Sequence, residues 1–314
     1  VDALRILIVG AGGVGGYFGA RLARAGLPVT LLARGSHLEA IQRDGLQIRS
    51  TVEGEYTVKL EAVERADGRP PVDLVIVSVK SFDTEPALAM VAPVLGPETA
   101  VLSLQNGVVN VELIEERVGA ARTLGGAAYV FAERIGPGVI AHRFAGRVAF
   151  GELDGRTTPR AERVLAAFRA AGVPVELSAD IRRVLWEKYI LICAQAGLTA
   201  LTGCPSGVLR ANPETWRLYR LVLEELAALG NAARVALPAD VVDRLHEAAA
   251  ALGPATRSSL ADDLAAGRRL ELEALHGYAV RLGQRLGVAT PSLFAVYAAL
   301  RPHVEGAAPG RATG

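Results

Sequence analysis

An α/β chain that turns all-helical in its second part is the fold class this sequence predicts, and three observations predict it. Residues 5–9 (RILIV) form a short apolar run that stops at Gly10 and continues with Gly12 and Gly15 in the spacing GxGxxG. Up to about residue 178, apolar runs bounded by turn residues alternate with helical periodicities, which argues for a parallel sheet with helices on both faces. From Ala179 onward no convincing strand follows, and long 3.6-residue periodicities take over. The reading is an N-terminal Rossmann-type domain over 1–178, then an all-helical domain over 179–305. A Gly-, Ala- and Pro-rich tail, 306–314, is expected to be disordered.

The elements follow in order. Strand 5–9 runs into a tight turn at Gly10. Gly12 leaves room for a pyrophosphate to approach the backbone, and Gly15 lets the next helix pack closely on the strand. The loop of Gly10, Ala11, Gly12, Gly13, Val14 and Gly15 is thus a candidate dinucleotide site, its helix N-terminal amides facing the phosphates. A lone GxGxxG also occurs in ordinary turns. Here a helix over 17–26 (Phe18, Leu22 and Ala25 apolar, Gly26 as stop) and a second strand over 29–33 supply the required context. Further strands are expected at 73–79, 100–103, 122–130, 139–142, 147–151 and 174–177, with Gly136-Pro137-Gly138 as a turn feeding an antiparallel pair. Helices are expected near 180–202, 213–236, 239–252, 259–287 with a break, and 291–302.

Composition narrows the function. At 314 residues the chain suits two domains, and 51% hydrophobic residues can fill two cores without metals or disulfides. Lys plus Arg (34) against Asp plus Glu (33) gives a net charge of +1, so charge implies no nucleic acid partner. Cys193 and Cys204 lack metal-ligand spacing and read as free thiols in a reducing compartment, with no metal site. The first strand begins about five residues in, leaving no room for a signal peptide. The longest apolar stretch, 189–201, is short for a membrane span and is interrupted by Gln195 and Thr199. A soluble, cytoplasmic chain without membrane partners is expected.

Several residues are placed for chemistry. Arg34 follows the second strand, 24 positions after Gly10, where an arginine suits a 2′-phosphate and an acid would suit a ribose hydroxyl; NADP is favoured over NAD. Its bland reading is a solvated loop arginine. Lys80 and Asn106 (in Gln105-Asn106-Gly107) follow two buried strands at the carboxyl edge where open α/β sheets bind ligands, although Asn before Gly is also ordinary turn chemistry. Lys188 stands near the start of a nearly apolar helix. It is either solvated at the helix end or desolvated in an interdomain cleft, where a lowered pKa suits it to protonate a developing alkoxide. Ser259 reads as an N-cap with Asp262 three positions on, and a capped helix start also offers amides to a carboxylate. Glu271, near Arg268 and Arg269, is a surface ion pair in its plain reading.

These residues together resemble one family. GAGGVG at 10–15, Arg34, VSVKSFDT at 77–84, QNG at 105–107, PGVIAH at 137–142, WEKY at 186–189, LTALTGCPSGVL at 198–209, and SSLADDL with Glu271 twelve residues after Ser259 look like the ketopantoate reductase (2-dehydropantoate 2-reductase) family, in order and over nearly the whole chain. The resemblance implies reduction of ketopantoate to pantoate with NADPH, on the way to pantothenate and coenzyme A. It further implies Lys80 and Asn106 at the cofactor, Asn106 also near the substrate, Lys188 as proton donor, and Ser259 and Glu271 lining the site, with Glu271 a second catalytic residue that touches cofactor as well, and the helical domain as the one for substrate and dimerisation. A homodimer through the helical domain is a further expectation. The chain departs from the pattern at three positions where the family usually has asparagine: Ile192 and Ala196, on the helical face of Lys188, and Ser206, itself a substrate-binding candidate. A second reading therefore keeps the chemistry and changes the substrate to a more apolar 2-oxo acid or an imine. A third, an NADP-binding sensor without turnover, is opposed by Lys188, Ser259 and Glu271.

Overall fold

Ile6, Leu7, Ile8 and Val9 are all buried, and alternate side chains of this first strand enter two different cores. The computed structural model describes residues 4–306. They fall into two units, one of residues up to 106 plus 110–184, the other of 107–109 plus the chain from 185. The first unit runs β1 (Ile6–Val9), α1 (Gly13–Arg24), β2 (Val29–Leu32), α2 (Gly35–Asp44), β3 (Leu46–Ser50), β4 (Gly54–Val58), β5 (Glu61–Val63), β6 (Val72–Val77), α3 (Thr84–Val91), β7 (Leu95–Ser103), α4 (Val109–Val118), β8 (Thr123–Gly136), β9 (Val139–Glu152), α5 (Pro159–Ala170) and β10 (Val175–Leu177).

Strand order is β4-β3-β9-β8-β7-β6-β1-β2-β5, with β10 on β9. From β8 to β5 every pairing is parallel. Ile6 and Ile8 pack with Phe18 and Leu22 of α1 and with Val164 and Phe168 of α5, while Leu7 and Val9 pack with Leu88 and Val91 of α3 and Ile114 of α4. A central strand covered on both faces needs apolar side chains at both parities, which the RILIV run supplies.

The sheet is parallel from β8 to β5, as expected, and the antiparallel pair expected around Gly136-Pro137-Gly138 is present. β8 and β9 pair antiparallel from Leu124–Glu152 to Gly136–Val139, around the Gly136-Pro137-Gly138 turn. β3 and β4 form a second antiparallel pair. The sheet is mixed, and β3, β4 and β5 had no counterpart among the expected strands. The separate strands at 139–142 and 147–151 are one strand, β9, bent where Ala145 (φ 60°) and Gly146 (φ 117°) break its register with β8. A bulge locally interrupts the period-2 pattern without ending the ladder.

Among the described residues from 185 onward there is no strand. The elements are α6 (Ile181–Thr202), α7 (Ser206–Ala211), α8 (Pro213–Ala232), α9 (Val241–Ala250), α10 (Ser259–Ala265), a π-helical turn at Glu273–Gly277, α11 (Tyr278–Leu286) and α12 (Pro291–Leu300). The break expected within 259–287 is real, since α10 stops at Ala265 and helix resumes only at the π turn. α6 has the length and composition to cross a membrane, but 72% of its most apolar window is buried inside the protein, as in a core helix. The tail 306–314 lies outside the described residues except for Gly306, whose N–H is bonded to the His303 carbonyl.

Candidate active site

The register of the first unit brings its candidate loops to one edge. Val9 pairs with Leu32 and with Val77, and Val77 pairs with Ser103, so β1, β2, β6 and β7 end side by side. The glycine loop, Arg34, Lys80 and Asn106 all leave from that carboxyl edge. Gly10 takes a φ of 100°, a left-handed turn closed to most side chains. A Cβ at Gly15 would lie 2.1 Å from the Gly10 carbonyl and 2.2 Å from Ser78 Oγ, so α1 starts hard against β1. A Cβ at Gly12 would meet nothing within 4 Å. The loop is therefore open on the side where a pyrophosphate approaches in this fold, and the residues present fit a dinucleotide. Arg34 is exposed and stands at the N-cap of α2.

Half-buried Ser78 and buried Gln105, Thr84 and Asn110 tie these loops together. The Ser78 hydroxyl, directly after β6, lies 2.8 Å from the Gly10 carbonyl and 3.1 Å from that of Val9. Gln105 Nε2 donates to the Val79 carbonyl (3.0 Å), next to Lys80, and to Thr84 Oγ1 (2.8 Å). The Thr84 hydroxyl in turn lies 3.0 Å from Asn110 Oδ1, and Asn110 Nδ2 donates to the Asn106 carbonyl (2.8 Å). Lys80 and Asn106 are thus presented by one connected scaffold. Sequence reading passed over Ser78, Thr84 and Asn110; polar residues within one to seven positions of a strand's carboxyl end were the available signal.

In the second unit Lys188 lies in the second turn of α6, half-buried, and burial pushes its ammonium pKa down to about 8. Its place inside the helix removes the solvated helix-end reading. Ile192, half-buried, and Ala196, buried, follow one and two turns on along the same face. Gln195 Nε2 donates to Ser206 Oγ (2.8 Å), whose hydroxyl reaches the Thr256 carbonyl (3.0 Å), and the Tyr219 hydroxyl lies 3.4 Å from Gln195 Oε1. Ser206 is 3% exposed, so this network is internal.

The capping assignment moves by one residue. Ser258, not Ser259, caps α10, its Oγ accepting from the Ala261 amide at 3.0 Å, while Thr199 Oγ1 lies 2.7 Å from the same oxygen. Ser259 is the first helical residue, where its side chain is not needed for the cap. Asp262 pairs with Arg257 rather than closing a capping box. Near Glu271, Arg268 pairs with Asp263 and Arg269 with Glu305. The Glu271 carbonyl accepts from the Leu275 amide at the entry to the π turn. His276, in that turn, donates from Nε2 to the Cys193 carbonyl of α6 at 2.9 Å. Among the described residues no three His, Cys, Asp or Glu cluster to hold a metal.

The family model for ketopantoate reductase PanE/ApbA matches residues 6–155, and the model for its C-terminal domain matches 180–304. The chain belongs to the ketopantoate reductase family. Members of this family are oxidoreductases that act on CH–OH groups and use NADPH. A 2-dehydropantoate 2-reductase from Mesorhizobium japonicum is 31% identical over 95% of this chain and 97% of its own length. Among solved structures, a PanE/ApbA family ketopantoate reductase from Ralstonia eutropha superposes with a TM-score of 0.88 at 37% identity, covering 96% of this chain and 98% of its own. A 2-dehydropantoate 2-reductase from Geobacter metallireducens gives 0.89 at 34% identity, covering 95% and 99%. The ketopantoate reductase fold thus extends over both units.

Proposed function

We propose that this chain reduces 2-dehydropantoate to pantoate with NADPH, within pantothenate and coenzyme A synthesis. The observation that carries the reading is Lys188, an ammonium brought down to about 8 by burial in the second turn of an apolar helix, in a chain matched by both family models. NADPH, when bound, supplies the hydride to the 2-oxo carbon. Lys188 Nζ donates a hydrogen bond to the keto oxygen and then its proton to the forming alkoxide, so one 2-oxo acid, one hydride and one proton give one 2-hydroxy acid. The 10–15 loop and the α1 amides hold the pyrophosphate, and Arg34 takes the 2′-phosphate. Lys80, Asn106 and Glu271 orient the nicotinamide end, with Asn106 and Ser259 assigned to the substrate, Ser259 through the α10 amides; Ser206, expected there from the sequence, is instead buried and bonded to Gln195 and the Thr256 carbonyl.

A second substrate is favoured by one specific observation. Ile192 and Ala196 make the face beyond Lys188 apolar, and the amide of Gln195 and the hydroxyl of Ser206 are already bonded to each other. Ketopantoate carries a hydroxyl that such a lining leaves without a partner, at a cost of about 1 to 3 kcal/mol. The deciding experiment is NADPH oxidation with ketopantoate and with 2-oxoisovalerate, which lacks the hydroxymethyl group. A kcat/KM ratio above about 100 for ketopantoate upholds the pantoate reading. A ratio near or below one removes it and leaves the more apolar 2-oxo acid.

A further inference from the structure

His37 has no role in the activity derived above, yet its imidazole is 3% exposed and both ring nitrogens are engaged. Nδ1 accepts the Gly138 N–H at 2.8 Å. A nitrogen that accepts cannot carry a proton, so the ring is neutral and its hydrogen is on Nε2. Nε2 lies 2.7 Å from the Ala11 carbonyl, which can only accept. The ring therefore bridges the glycine loop, α2 and the turn between β8 and β9. Gly138, with φ of 69°, is fixed from its other side as well, its carbonyl accepting from the Gln47 amide at 2.8 Å.

We infer that His37 is a positioning residue for the dinucleotide: by holding the Ala11 carbonyl it sets the direction of the Gly12 amide. In a planar trans peptide the carbonyl of Ala11 and the N–H of Gly12 point to opposite sides. With the oxygen drawn toward His37, the N–H faces away from α2. The open space over Gly12 lies in the same loop. A loop of small residues has little else to fix that peptide plane, because glycine tolerates many conformations. Burial, with the positive charge of Arg134 acting in the same direction, holds the imidazole pKa below its ordinary value, which keeps the bridging tautomer in place. His37 also stands three residues after Arg34, so one side chain orders both the pyrophosphate loop and the helix start assigned to the 2′-phosphate.

The inference rests on the cofactor reading, and its test separates the two. NADPH affinity is measured by fluorescence for the parent chain, for His37→Phe, which keeps a ring without nitrogens, and for His37→Gln, which keeps one donor and one acceptor. Loss of a preorganised peptide should raise the NADPH Kd of His37→Phe about tenfold or more, with kcat at saturating NADPH within about threefold of the parent. His37→Gln should recover most of the affinity. A folded His37→Phe with parental Kd, or His37→Gln as weak as His37→Phe, overturns the inference alone; a parent that binds no NADPH overturns the cofactor reading with it. Should His37→Phe not fold, nitrogen NMR of the histidine-labelled parent decides. The Nε2–H tautomer at neutral pH supports the bridge, and an Nδ1–H or charged ring ends it.

Discussion

Tyr189 of α6 donates its phenolic hydrogen to the Leu275 carbonyl at 2.6 Å, joining the residue after Lys188 to the π turn four residues beyond Glu271. His276 returns a bond from that turn to Cys193, so the two segments are stitched in both directions. Tyr189 is 1% exposed, and Tyr189→Phe removes this buried bond, leaving the Leu275 carbonyl only the Tyr278 amide. Stability should fall by about 1 to 2 kcal/mol in urea titration. If Glu271 and Lys188 act on one substrate, the KM for the 2-oxo acid should also rise while NADPH affinity holds.

Activity and pH are linked through Lys188. The proposed acid works protonated, and with a pKa of about 8 roughly nine in ten molecules carry the proton at pH 7 but only about one in ten at pH 9. The kcat/KM profile should therefore descend through about pH 8, and Lys188→Ala should abolish that limb while lowering turnover by ~10² to 10⁴. The stability term has the opposite sense. Between about 8 and the ordinary lysine value of 10.5 the unfolded chain holds the proton more often than the folded one, so this group's contribution to stability rises with pH.

Acid should destabilise the second unit through His276. Burial lowers its pKa from 6.5 to about 4, so the unfolded chain takes up a proton in this range that the folded chain refuses. The sign is a loss of stability as pH falls from about 6.5 to about 4, worth up to about 3 kcal/mol. Thermal melts across that range should show the loss, and His276→Gln should flatten it. An unchanged slope in the variant would assign the acid sensitivity elsewhere.

Two neighbouring glycines should separate binding from folding. A Cβ at Gly13 would lie 1.9 Å from the Ala132 carbonyl of β8, whereas the space at Gly12 is open. Gly12 also has a φ of −76°, which alanine adopts freely. Gly12→Ala should melt close to the parent while NADPH affinity drops tenfold or more, because the methyl occupies the cradle; by overpacking, Gly13→Ala should lose about 1 to 3 kcal/mol of stability. Calorimetry with and without NADPH checks both.

Cofactor choice should follow Arg34. A charge-assisted pair with the 2′-phosphate contributes about 1.5 to 3 kcal/mol, so Arg34→Ala should raise the NADPH KM about tenfold or more and leave NADH nearly unchanged. Equal losses for both would move Arg34 out of the phosphate pocket.

Much of this was legible because single residues dictate it. The φ of Gly10, the two-sided burial of Ile6 to Val9 and the apolar length of α6 are local properties, and each left a mark in the sequence. β3 was missed although Leu46, Ile48 and Ser50 alternate inward with Gln47 and Arg49, because five residues of mixed polarity carry a weak signal. The continuity of β9 was hidden by the left-handed Ala145 and Gly146. In the site, loop residues such as Lys80 and Asn106 were placed by strand ends. The Gln195–Ser206 and Thr199–Ser258 bonds cross 11 and 59 positions, which no local pattern encodes, whereas the Ser258 cap is local, three residues from Ala261, and was misassigned by one position because two serines stand side by side.

The pairing of β3 with β9 also shapes how the chain is made. Ser50 meets His142, 92 positions later. At about 5 to 20 residues per second, the β3–β4 hairpin leaves the ribosome roughly 5 to 20 s before the strand that covers it. During that wait it is a two-stranded ribbon with an unsatisfied edge, the state most open to pairing with another nascent copy. Its composition limits the hazard: both strands are five residues long, and Arg49, Glu55 and Thr57 remain exposed even in the finished sheet. Replacing those three with Val or Ile would leave the native contacts nearly intact, yet should lower the yield of soluble protein during rapid synthesis, a penalty that appears in expression and not in the melting curve.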